Sequence, residues 1–138
     1  MQNNFNILSI DPGLSKWGWA IVDGDQTVIA KGINPTSELI DQVIQLHEKH
    51  GFKSIILGNA TGSKAYLEKL KSIGAKLTIE LIDEALSTLE ARALYFECNP
   101  RKGIWRLIPI TMQSPSEDYD DYTAIILAKR YWNRSSDE

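Results

Sequence analysis

Cysteine is nearly missing from this chain. Cys98 is the single one, so no disulfide can close within the sequence and no cysteine-rich zinc cluster can be built. Such usage suits a reducing compartment. An excess of cations is missing too: 15 basic residues stand against 18 acidic ones, for a net charge of −3. Nucleic-acid binders are usually more basic, so the balance counts against that class, unless the acids gather in a metal site and the bases in a local patch. No apolar run approaches the roughly 20 residues of a membrane span. Met1-Gln2-Asn3-Asn4 lacks the charged and apolar regions of a signal peptide. The expected location is cytoplasmic, with no membrane partner. There is no Gly-x-Ser-x-Gly or Cys-His nucleophile, and Gly58 to Lys64 is one residue short of a Walker A loop. The only histidines, His47 and His50, fall in the last turn of an expected helix, where they complement its dipole better than they would hold a metal.

What is present is an ordinary globular composition. The chain has 138 residues, 43% apolar and 24% charged. That is enough for one domain with a core of its own. Residues 5–11 and 17–23 read as strands, and Asp23-Gly24-Asp25 as a hairpin leading to a third strand at Thr27–Ala30. A helix is expected from Asn34-Pro35 to Gly51, with Leu39, Ile40, Val43, Ile44 and His47 on one stripe. Ser54–Gly58 is an apolar strand of the doubly covered kind. Residues 63–73 form a helix with Tyr66, Leu67, Leu70 and Ile73 inward, capped at Gly74. Leu77, Ile79 and Leu81 alternate with Thr78 and Glu80, as in an edge strand. Ser87 and Glu90 suggest a capping box for a helix reaching about Glu97. An irregular stretch at 98–116 and a helix from about Asp118 to Trp132 close the chain. This predicts one α/β domain over 1–134, with 135–138 as a frayed tail. Its sheet has five strands, an antiparallel meander of three followed by two parallel ones, with helices on both faces. That is the order of the ribonuclease H-like fold.

Acidic residues fall where these elements begin or end: Asp11, then Asp83-Glu84, then Glu117-Asp118-Tyr119-Asp120-Asp121. Asp11 follows the apolar Ile7, Leu8 and Ile10, with Gly13 and Gly18 leaving the backbone open nearby. Hydrolysis of a phosphodiester needs carboxylates that converge from several elements onto a hard, oxygen-seeking cation such as magnesium. Asp11-Pro12-Gly13 also suits a plain turn, and aspartates at 118–121 also suit a helix N-terminus. Asp118 and Asp121 are spaced i, i+3, so they share a face if both are helical.

Four segments in order carry a resemblance. Residues 7–22 resemble the opening of the YqgF/RuvX family and of the related RuvC-type Holliday junction resolvases, which share Asp-x-Gly at the end of the first strand. Ile55-Ile56-Leu57-Gly58 with Gly62-Ser63 is similar to the fourth strand and its loop. Asp83-Glu84-Ala85-Leu86-Ser87-Thr88-Leu89-Glu90-Ala91-Arg92 resembles the Asp-Glu-Arg-x-Ser/Thr-Thr-x-x-Ala segment. Asp118 to Ile125 resembles the Asp-rich start of the closing helix. The resemblance implies a magnesium- or manganese-dependent endonuclease acting on structured RNA, such as a ribosomal RNA precursor, or on branched DNA. It also implies that Asp11, Glu84 and an aspartate of the last cluster are the catalytic, metal-binding carboxylates. RuvC-like spacing favours Asp118 with Asp121, and alignment on the apolar run favours Asp120. The chain departs from the pattern at Ala85, where the family has arginine, and at Asn59-Ala60-Thr61, where a Leu-Pro start is usual.

The stretch Asn99–Arg106 joins Arg101, Lys102 and Arg106 to Trp105, a combination that suits phosphates and an unpaired base; Trp105 could equally fold back onto the core. Lys16, Lys64 and Arg92 are candidates to extend that patch. Two rival readings have different consequences. A relative without catalysis would retain binding to branched or structured RNA but bind metal only weakly. A phosphate-handling half-domain of the actin or sugar-kinase kind would bind nucleotide, but needs a second similar domain. A junction resolvase would also need a homodimer with two-fold symmetry.

Overall fold

The computed structural model describes residues 5–60, 62–73, 77–85, 87–101, 103, 107 and 118–136. One sheet contains β1 (Ile7–Asp11), β2 (Lys16–Val22), β3 (Val28–Pro35), β4 (Ser54–Gly58) and β5 (Thr78–Ile82). Around it run α1 (Leu39–His50), α2 (Ser63–Lys71), α3 (Ser87–Cys98) and α4 (Asp120–Ser136). The strand order is β3-β2-β1-β4-β5. The first three strands pair antiparallel, and β4 pairs parallel with both β1 and β5. This is the mixed five-stranded sheet expected from the sequence.

The two-residue period of the strands sorts their side chains into two cores. Leu8, Ile10, Trp17, Trp19, Ile21, Ile55 and Leu57 pack with Leu39, Val43 and Leu46 of α1 and with Tyr66 and Leu70 of α2. Ile7, Ala20, Val22, Ile56 and Ile82 point the other way, onto Ala124, Leu127, Ala128 and Trp132 of α4. Where Ala20 meets Ala124 and Ala128 that second interface is lined by small side chains, and α4 lies close to the sheet there. The buried hydroxyl of Ser9 donates to the Ala124 carbonyl at 2.6 Å. A Cβ at Gly18 would collide with the backbone of Asp120. By the same alternation Asp11, Gly18 and Gly58 all belong to the α4 face.

Several expectations are corrected. β3 does not stop at Ala30 but continues to Pro35, because Gly32 lies under the Trp19 ring and Asn34 Oδ1 accepts from Trp19 Nε1 at 2.7 Å. The helix expected at Asn34 therefore begins later, after a 3-10 turn at Thr36–Glu38. Its buried stripe is Leu39, Val43 and Leu46, and Ile44 is exposed. Gly51 stops it as expected, at φ 69°. In the β2–β3 turn Asp23 Oδ1 accepts from the N–H groups of Asp25 and Thr27, and Gln26 rather than Gly24 takes the positive φ. Leu81 is exposed on β5 rather than inward. Glu90 is drawn to Arg130 of α4, at 2.9 Å, rather than to the start of its own helix. The closing helix begins at Asp120 and runs to Ser136, two residues into the expected tail. The Gly74 cap lies outside the described residues.

Candidate active site

Three carboxylates arrive from three elements. Asp11 is the last residue of β1, paired with Gly18 of β2, and faces α4. Glu84 follows β5 in the turn before α3. Its backbone N–H donates to Asn59 Oδ1 at 3.2 Å, while the Asn59 N–H donates to the Ile82 carbonyl at 3.0 Å, so the ends of β4 and β5 hold it from below. The Glu84 side chain then crosses Gly58, where a Cβ would collide with its Cδ and Oε1. Asp120 opens α4, set against Gly18.

The Asp11 carboxyl stands beside that of Glu84. Burial first, then hydrogen bonding to and the charge of that neighbour, then the charge of Asp120, push Asp11 up to about 9. Burial also raises Asp120; Lys16 opposes it, and Asp118 and Asp121 reinforce it. Glu84 Oε2 is buried with no hydrogen-bond partner. The site is thus a pocket of hard oxygen donors with more negative charge than its surroundings accommodate. Those donors fit a divalent cation of the magnesium type, which would offset the repulsion and engage the free Oε2. Among the described residues no group of three His, Cys, Asp or Glu side chains is assembled as a ready-made cage.

Asp118 and Asp121 lie apart from that meeting point. The helix starts at Asp120, so Asp118 precedes it and the i, i+3 relation does not hold. Asp118 pairs with Lys16 Nζ at 2.6 Å, and the same ammonium stands 3.6 Å from Asp120 Oδ2. The hydrogen bond to Asp118, opposed by burial, is the first cause that holds the Lys16 ammonium above its ordinary value. Asp121 is buried and turned toward β3: its Oδ2 accepts from Lys31 Nζ at 2.7 Å and its Oδ1 from the Tyr122 N–H at 3.0 Å.

Of the expected nucleic-acid contacts, Lys16 is at the site. Lys64 is exposed in the first turn of α2. The Arg101 guanidinium lies 5.4 Å from the Phe96 ring centroid. Arg92 reaches the Tyr119 hydroxyl at 3.4 Å, and its Nε is buried without a partner. Lys102, Trp105, Arg106 and Glu117 lie outside the described residues. Sequence reasoning overlooked Asn59 and Lys31 and read Tyr66 only as core. The Tyr66 hydroxyl receives the Gly13 N–H at 3.1 Å and donates to the Gly13 carbonyl at 2.5 Å, anchoring the loop between Asp11 and Lys16. A polar residue directly after an apolar strand, as Asn59 is, was the available clue.

No protein-family model and no curated protein sequence matches the chain. Solved structures do. RuvC from Thermus thermophilus, solved in complex with a Holliday junction substrate, is 14% identical with a TM-score of 0.55, and the match covers 96% of this chain and 97% of that one. A second Thermus thermophilus RuvC structure matches at 13% identity and a TM-score of 0.49, over 94% and 96% of the two chains. The chain has the ribonuclease H-like fold seen in RuvC, with Asp11, Glu84 and Asp120 gathered at one end of its central strands.

Proposed function

We propose that this protein is a divalent-metal-dependent endonuclease that hydrolyses phosphodiesters in structured nucleic acid, either branched DNA such as a Holliday junction or a ribosomal RNA precursor. The observation that carries this reading is the placement of Asp11, Glu84 and Asp120, from β1, the β5–α3 turn and α4, at one end of the central strands. Asp11, Glu84 and Asp120 would hold magnesium or manganese. A bound cation would supply Lewis-acid stabilisation of charge at phosphorus and an activated water for attack. Asp11, raised by burial and its acidic neighbours, would have to lose its proton for a cation to bind, so metal affinity should rise with pH. Lys16, held by Asp118 beside Asp120, would meet a phosphate next to the cleaved bond. The fold shared with RuvC and the four motif segments support the same substrate class.

A second reading, binding without cutting, draws support from Ala85 in place of the family arginine and from the Lys16 pairing of Asp120. Cleavage of a labelled four-way junction and of a ribosomal RNA precursor fragment separates the two. The nuclease reading expects cutting with Mg²⁺ or Mn²⁺ that Asp11→Asn abolishes. Binding by both proteins without cutting by either would favour the second reading.

A further inference from the structure

The turn that carries Glu84 is gripped from an unexpected side. Arg130 of α4 donates through Nη1 to the Asp83 carbonyl at 2.7 Å and through Nη2 to Glu90 Oε1 at 2.9 Å. One planar fork thus spans the residue before Glu84 and the first turn of α3. The same turn is tightened from within, because the Ser87 N–H donates to the Glu84 carbonyl at 2.9 Å and the Ala85 N–H to Asp83 Oδ1 at 3.0 Å. Glu84 needs this bracing. Its side chain crosses bare backbone at Gly58 and its Oε2 makes no hydrogen bond, so its position depends on where its own backbone is fixed.

We propose that Arg130 is the positioning residue for Glu84: it ties the turn that carries Glu84 to the helix that carries Asp120, and so fixes the distance between two of the three carboxylates. This inference rests on Glu84 being a metal ligand. The role resembles that of the hydrogen-bonded groups behind metal ligands, whose loss weakens metal binding about 10- to 100-fold.

Mn²⁺ titration calorimetry on wild type, Arg130→Met and Arg130→Lys, run well below each thermal midpoint, tests it beside amide exchange at Ser87 in the metal-free proteins. Arg130→Met should bind Mn²⁺ about 10-fold more weakly and exchange the Ser87 amide faster. Arg130→Lys, which keeps one donor for the Asp83 carbonyl, should recover part of both and keeps the test informative if the methionine variant folds poorly. A lower thermal midpoint with unchanged Mn²⁺ affinity would overturn the proposal and leave Arg130 a purely structural residue. If wild type itself binds no Mn²⁺, the metal reading of the site fails, and the Ser87 exchange alone decides whether Arg130 braces the turn.

Discussion

Asp11 is a carboxyl placed where its charge is hardest to bear, and that has a consequence for stability. An ordinary aspartate titrates near 3.8, and in the fold Asp11 is raised to about 9, chiefly by burial. The folded state therefore holds the proton more tightly than the unfolded chain does. The resulting stabilisation is fully present below about pH 3.8 and is lost as pH rises toward 9. Each pH unit within that window costs at most about 1.4 kcal/mol. The metal-free protein should thus melt at a lower temperature at pH 8 than at pH 5. Asp11→Asn should flatten that dependence and raise the midpoint at pH 8, as read by circular dichroism across the pH series. Gly58 makes a second test at this scale. The atoms nearest a Cβ there belong to the end of the flexible Glu84 side chain, so Gly58→Ala should change unfolding free energy by no more than about 1 kcal/mol in a denaturant titration. Calorimetry on the same variant should show Mn²⁺ binding sharply weakened, since Glu84 can no longer cross to Asp11.

At the scale of elements, the sheet was readable because its strands are short, apolar and bounded by Gly, Pro and Asp. β1, β2, β4 and the edge strand β5 lie close to where their alternation puts them. β3 was cut short in the sequence because Lys31-Gly32-Ile33-Asn34-Pro35 looks like a turn; the ladder to β2 and the Trp19 ring carry it onward. The α1 stripe was misjudged because Leu39, Ile40, Val43, Ile44 and Leu46 offer two overlapping faces, and only packing on the sheet chooses between them. Of the candidate site, Asp11 and Glu84 stand at strand ends, where the sequence alone points to them. The choice among the closing aspartates was not legible there, since it depends on where α4 starts and on Lys31, which lies on a distant strand. Gly18 fixes how closely α4 approaches the sheet. Gly18→Ala should push Asp120 outward and lower thermal stability by about 2 kcal/mol, because the obstructing atoms are backbone rather than a flexible side chain.

For the whole molecule, the net charge of −3 and the acid-lined site are two sides of one design. A polyanion approaching this surface meets repulsion from the acidic residues that are ionised there unless a cation has entered first. Nucleic-acid affinity should therefore rise when Mg²⁺ is added at constant ionic strength, the reverse of ordinary screening, and fluorescence anisotropy with a four-way junction would show it. Under the proposed function, Asp120 rather than Asp121 would close the site with Asp11 and Glu84. The most direct test is the Mg²⁺-dependent cleavage rate of a labelled junction by Asp120→Asn and Asp121→Asn, measured per folded molecule. Asp120→Asn should lose cutting, while Asp121→Asn, whose partner is Lys31, should be less stable but still cut. Cutting retained by Asp120→Asn and lost by Asp121→Asn would contradict that assignment.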